Sequence, residues 1–257
     1  MTIPGRGTSA TRVRMDPLRR TAFLGGVLYL ITFADSIPAA FYFLAPVLSD
    51  PNYIVGAGAD TRVITGGLLD MVNAFACIGT AVVLFPVLKR QNETLALGFV
   101  TSRLLEAAII SVGVVSLFAV VTLRQDLSGA AGADAAALTT VGTALVAVRD
   151  FTFHLGPGVM AAVNALLLGS LMYRSGLVPR VIPLMGLIGA PLLLTSKLAT
   201  TFGVNGDTTL WSVVAVAPIF FWELSLGIWL AVKGFRPSPL TPGPVPAGDR
   251  DPQLSPA

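Results

Sequence analysis

The sequence predicts an all-α, polytopic membrane protein, a bundle of six transmembrane helices with a short interfacial helix between spans 3 and 4. Three observations carry this. Of 257 residues, 54% are hydrophobic and 12% charged, about half the charged share of a typical soluble domain. The mean hydropathy of +0.77 leaves too little polar surface for a water-soluble fold of this size. The apolar residues are also gathered into long blocks, and about twenty residues at 1.5 Å rise cross a hydrocarbon core of about 30 Å.

Residues 1–20 are polar and carry Arg6, Arg12, Arg14, Arg19 and Arg20, which makes a basic N-terminal tail. The first apolar block, Thr21 to Val47, exceeds the roughly 7 to 15 residues of a signal-peptide core and lacks a cleavage site, so it reads as a retained helix. Met15 is an alternative start of translation. The next blocks run Gly67 to Leu88, Ala96 to Leu123, Phe151 to Tyr173, Val181 to Phe202 and Trp211 to Val232, each bounded by polar or turn residues such as Lys89-Arg90-Gln91-Asn92-Glu93 and Asn205-Gly206-Asp207.

Ala135 to Val148 is apolar too, but too short to span, and Arg149-Asp150 follows at once. Its Leu138, Val141, Leu145 and Val148 recur at helical spacing opposite Thr139, Thr140 and Thr143, the pattern of an interfacial helix. From residue 236 to 257 the chain is Pro-rich and reads as a disordered cytoplasmic tail. The organisation expected is therefore a basic tail over 1–20, a six-helix domain over 21–235 and a second tail over 236–257.

Orientation follows from the cations in alternate loops. One side collects the five N-terminal Arg, Lys89, Arg90, Arg174, Arg180, Lys233, Arg236 and Arg250, and the other only Arg62, Arg124 and Arg149. Both termini are expected in the cytoplasm. A seventh span at Ala135 to Val148 would scatter these cations over both sides. Trp211, Trp229, Tyr42 and Tyr173 lie near block ends, as interfacial aromatics do. The sequence pI of about 9.4 thus reflects membrane topology, and no nucleic-acid partner is expected. A single cysteine, Cys77, excludes an intramolecular disulfide.

Ionisable side chains at membrane depth cost about 2.5–3.5 kcal/mol each on insertion scales, so they face the bundle interior and find partners. Asp35, Glu106, Asn164 and Glu223 fall near the midplane, Asp70, His154 and Lys197 in the outer half, and Arg103 toward the cytoplasm. Arg103 and Glu106 stand three apart on one helix face, within pairing reach. Asp70, Asn73, Cys77 and Thr80 make a polar stripe on helix 2, which suits helix packing as well as a ligand path. Acids outnumber cations in the spans, and an unpaired carboxyl in a low-dielectric interior takes a proton or binds a cation.

The run His154-Leu155-Gly156-Pro157-Gly158 should kink or break helix 4, and non-helical backbone at that depth needs a covering protein surface or a water-filled cavity. Ala161, Ala165 and Gly169, and Gly186 and Ala190, allow close helix contact. Pro183 and Pro191 bend helix 5. A three-plus-three inverted repeat would match helix 3 to helix 6 and Glu106 to Glu223, but the surrounding similarity is slight. One histidine and no GxSxG, P-loop or GxGxxG in suitable context leave no enzyme signature, no metal site and no cofactor to expect.

The strings FLGGVLYLI, GGLLDMVNAFACIGTAVVLFPVLKRQNETLALGFVTSRLLEAAII, HLGPG, NALLLGSLMYRSGLVPRVIPLMGLIGAPLLL and WELSLGIWLAVKGF resemble the bacterial membrane family catalogued as domain of unknown function 4386. The resemblance covers essentially residues 20 to 235. It implies a multi-pass protein of the bacterial inner membrane and carries no assigned activity, so no site residue transfers. The functional expectation is an internal polar cluster of Asp35, Asp70, Asn73, Arg103, Glu106, His154, Asn164, Lys197 and Glu223 that moves or senses a small solute, proton or ion. The alternatives are a structural or regulatory membrane protein whose polar residues pack helices, and a membrane-embedded enzyme. The partners expected are the lipid bilayer and a small solute or ion, with oligomeric state open.

The charge asymmetry makes a topological prediction: reporter fusions after Glu93, Ser175 and Arg236 report cytoplasm, and fusions near Ala57, Gly132 and Gly206 report the far side. A far-side signal from the Arg236 fusion would sink the six-span reading.

Overall fold

A computed structural model describes residues 15–56, 58–127, 134–238 and 240; the expected basic tail up to residue 14 and the Pro-rich tail after residue 240 lie outside the described residues. The helices are α1 (Pro17–Pro38), α2 (Ala45–Ser49), α3 (Asp60–Leu88), α4 (Glu93–Leu127), α5 (Ala135–Phe153), α6 (Ala161–Ser175), α7 (Val181–Thr201) and α8 (Leu210–Val232). Two segments of wider π-helical turn join them, Ala39–Phe43 after α1 and His154–Met160 between α5 and α6. Among the described residues six helical stretches are long and apolar enough to cross a membrane, and the chain is an integral membrane protein.

Local chemistry sets the ends. Asp16 caps α1 by accepting from the Arg19 backbone N–H, with Pro17 at the first helical position, and Asp134 caps α5 through the N–H groups of Ala136 and Ala137. Thr209 caps α8 through Ser212 N. Gly176, at φ +67°, closes α6 in the left-handed conformation that glycine adopts without a Cβ penalty.

One expectation is modified. Ala135 to Val148 is not set apart from span 4: with the π segment it belongs to one 41-residue helical stretch, Ala135–Ser175. Pro157 does remove a backbone donor, but a π turn, which lets the chain pass a proline with one residue more per turn, absorbs the fault and the helix runs on. Pro38 is followed by a π turn in the same way.

The spans close a ring in sequence order. α1 packs between α8 and α3, α3 against α4, α4 against α5 and α6, α6 against α7, and α7 against α8. This order places α4 and α8 across the ring from each other. At one end Arg19 donates to the carbonyls of Leu230, Ala231 and Val232, capping the last turn of α8. The start of the expected C-terminal tail docks at this end, where Arg236 N donates to Leu177 O, Ser238 Oγ to Ser175 O and Arg90 to Leu240 O. We call it the basic end. At the far end the cations are engaged locally: Arg62 by the Tyr42 carbonyl, Arg124 by Asp60 at 2.5 Å and Lys197 by Asp207 at 2.6 Å.

The basic half is densely packed around Tyr29, Leu84, Phe99, Leu168, Met172, Trp222 and Leu226, all at 1% exposure or less. Here α1 and α8 touch backbone to backbone. A Cβ on Gly26 would fall on Ala231 N and lie 2.7 Å from Gly227 O. Gly26→Ala should therefore lower thermal stability by about 1–3 kcal/mol through overpacking. Gly98→Ala, whose Cβ meets only the Leu167 side chain at 3.4 Å, should leave the midpoint unchanged or slightly raised; equal losses in detergent melting curves would refute the close approach.

Candidate functional site

The ring axis is occupied by charge. Arg103 lies ten residues into α4, about 15 Å from its basic end at 1.5 Å per residue. Its Nη1 donates to Glu106 Oε2 at 3.0 Å and to Cys77 Sγ on α3 at 3.5 Å, and its Nη2 donates to Glu223 Oε1 on α8 at 3.1 Å. Asn164 of α6 donates to the same Glu106 oxygen at 2.7 Å. The guanidinium also lies 5.0 Å from the ring centroid of Tyr29 on α1, a cation–π contact. Four of the six spans thus meet on the Arg103 side chain, and a fifth, α6, joins the layer through Glu106. The helical spacing brought Glu106 to Arg103, as expected; Glu223 arrives from across the ring.

This layer is the floor of a cavity of about 390 Å³ that extends toward the far end, within the range of small-molecule sites. Arg103, Glu106, Glu223, Asn73 and Cys77 form its inner part, and Phe33, Ile37, Phe41, Phe153, Val216 and Phe220 its outer part. Both π segments contribute to the wall, Ala40 and Phe41 from one and Pro157 from the other. π turns recur at functional sites because they re-aim side chains and free backbone groups. The fault expected at Pro157 is taken up by a widened turn, and Pro157 borders the cavity.

A second, much smaller space of about 20 Å³, enough for a single water, shares Asn73, Phe153 and Pro157 with the main cavity. Asp70 and Arg149 line it and stand 3.8 Å apart. Arg149, at 6% exposure, is buried inside the bundle although the sequence places it at a block boundary. Its guanidinium also stacks over Phe153, 4.6 Å from the ring centroid.

The remaining expected residues lie elsewhere. His154 Nε2 is 3.0 Å from both Lys197 O and Thr201 Oγ1, and its Nδ1 is 3.6 Å from Asp207. Lys197 reaches the same Asp207 carboxylate. These groups form a separate cluster at the far end, away from Arg103. In the loop before α8, burial alone would raise the Asp207 carboxyl, but the hydrogen bond and charge of Lys197, aided by His154, hold it below the usual carboxylate range. Asp35 is buried at 4% exposure, neither of its oxygens makes a hydrogen bond, and it is not among the residues lining the cavity. Of the midplane residues Asp35, Asn164 and Glu223, only Glu223 borders the cavity, and Asn164 joins the charged layer behind it through Glu106.

Three partners were not foreseen: Tyr29, Cys77 as an acceptor, and Arg149. Tyr29 sits in an unbroken apolar run and gives no local signal, whereas Cys77 was on the helix 2 stripe, which does face the axis. Among the described residues no three of His, Cys, Asp and Glu come together as metal ligands.

Residues 24–234 match the family described as Domain of unknown function (DUF4386). No curated protein and no solved structure matches the chain.

The shared guanidinium orders the effects of substitution. Arg103→Met leaves two facing carboxyls and should cost about 3–5 kcal/mol, the usual penalty for orphaning a buried charge. Glu223→Gln leaves the Arg103–Glu106 pair in place and should cost clearly less, and the double variant should recover part of the Arg103→Met loss. Thermal unfolding in detergent that gave strictly additive losses would count against direct coupling.

Proposed function

The chain belongs to this family of unknown function, so its own geometry must carry the functional reading, and we propose that it is a solute-binding membrane protein that carries or senses a small molecule. The observation behind this is the cavity of about 390 Å³ ending on Arg103, Glu106 and Glu223. Two carboxyls share one guanidinium there, so a full charge complement leaves one negative charge, to be offset by a proton or by a cationic group of the solute. A cluster serving helix packing alone would be dry and balanced. Here the Glu223 side chain keeps 16% exposure against 3% for Arg103, and its exposed part borders the cavity.

A second reading has support of its own. Arg103 and Glu106 are almost wholly buried and tie opposite sides of the ring together, so these two also serve as structural cross-links. The readings are compatible, with Glu223 as the group shared between them. The Lys/Arg asymmetry supports a bacterial inner-membrane orientation with both termini in the cytoplasm, in which the cavity faces outward.

Cysteine accessibility tests the solute-binding reading. In a Cys77→Ser background, Thr32→Cys lines the cavity, whereas Phe75→Cys replaces a ring that is 65% exposed on the outer face of α3. Because only the thiolate reacts and it forms only where water reaches, a charged, membrane-impermeant thiol reagent applied to intact cells should label Thr32→Cys roughly tenfold faster or more. Equal, slow labelling of the two would show a dry cavity and remove the reading's support.

A further inference from the structure

We infer that the ligand of this cavity is an amphipathic organic cation, a protonated amine carrying an aromatic or branched apolar body. The inference rests on the reading of the cavity as a solute site and names the class of solute. Three features carry it. The charged atoms at the floor are unequally presented: Arg103 is spent on Glu106, Cys77 and Glu223 and its side chain is 3% exposed, so the ligand meets little of the guanidinium. Glu223 is the most exposed member, and only its Oε1 is used by Arg103. A carboxylate with a free oxygen in a low-dielectric cleft selects an ammonium and repels an anion.

The remaining wall is apolar and rich in aromatic rings. Phe33 and Phe220 meet edge to face with centroids 5.2 Å apart, and Phe41, Phe153 and Ile37 continue this surface. The Thr32 and Ser36 hydroxyls are turned back on carbonyls of their own helix, so they add little polarity to the wall. A small hydrophilic ion would leave that surface uncovered, while a ligand with an apolar body covers it and gains its burial.

The geometry also fixes a direction. Polar contacts lie at the inner end and apolar ones at the outer, where Phe41, Ile37 and Val216 are exposed at 82%, 44% and 40%. The ligand enters amine first, with its apolar body last and against the exposed rim.

Purified full-length protein in lipid nanodiscs tests this with three probes at neutral pH: 4-phenylbutylammonium, 4-phenylbutanoate as its anionic counterpart, and methylammonium as a cation without the body. Only 4-phenylbutylammonium should raise the unfolding temperature and bind saturably. Glu223→Gln should weaken it roughly tenfold or more, the loss of one charge-assisted contact. Phe41→Ala, at an exposed rim position that the fold does not need, should weaken it too and serves if Glu223→Gln does not fold. Equal binding of 4-phenylbutanoate overturns the cationic class, and equal binding of methylammonium overturns the amphipathic one. Binding of none of the probes, with Thr32→Cys still labelled, overturns the inference and leaves the solute-binding reading standing. Binding of none with Thr32→Cys unlabelled removes both.

Discussion

The structure turns on one guanidinium held between two carboxyls at the axis of a helical ring. Arg103 and Glu223 belong to helices that are not packed on each other, and their contact at 3.1 Å crosses the ring. Taking a charge out of water is expensive, so each of the three groups is tolerable only while the others stay in place. The helices that deliver them are fixed to within the length of a hydrogen bond. Asn164 adds a second bond to the Glu106 oxygen that Arg103 uses, and Cys77 accepts from Arg103, so α3, α4, α6 and α8 are registered against one another at that depth. Apolar packing alone specifies depth poorly in a bilayer, since lipid tails are as apolar as leucine.

On either side of this layer the molecule differs. The basic half is filled, with the fully buried Trp222, Phe99, Leu168 and Leu226 and direct backbone contact at Gly26. The far half is opened by two prolines. After Pro38 and around Pro157 the helix widens by a π turn rather than breaking, and both widened turns border the cavity. A widened turn keeps most of its hydrogen bonds internal, which the hydrocarbon environment demands, while displacing side chains enough to leave space. Gly158 allows the widened turn to lie against α7, where an added Cβ would meet Lys197 Cε at 3.0 Å.

Much of this was legible in the sequence. Six spans and their order follow from block length and flanking polar residues, although the fourth helix begins sixteen residues before its expected block, and Arg103–Glu106 follows from a three-residue spacing. The stripe Asp70, Asn73, Cys77 and Thr80 does turn to the interior, where Asn73 and Cys77 border the cavity and Thr80 is fully buried. What escaped was long-range. Nothing local says that Glu223 shares Arg103 or that Tyr29 lies beneath it, because these contacts depend on ring closure. Arg149 was hidden for a different reason: beside Asp150 it resembles a block edge, yet the helix continues outward to Ala135, so the edge is internal and Arg149 finds Asp70. Lys197 and His154, placed in the outer half by their positions in the blocks, meet at the far end, but their shared partner Asp207 lies in a loop and gave no signal.

The proposed carrier and sensor roles differ in what they would require of this architecture. The cavity ends at the Arg103 layer, and beneath it lie the fully buried Trp222, Phe99 and Leu226, so on the proposed carrier reading the ion-pair layer and these side chains would have to part. The Arg103–Glu223 contact is the cross-ring bond that such a motion would break first, because it joins helices with little other contact. On the proposed reading, a cation bound at Glu223 would compete with Arg103 for that carboxylate and so weaken the contact that crosses the ring. The change in affinity between closed and opened rings is the free energy available for the motion. A sensor needs only a shift of α8 against α1, where the Gly26 and Gly227 contact leaves a smooth track. In both proposed cases the coupling would run through Glu223, which lines the cavity and makes the cross-ring contact to Arg103.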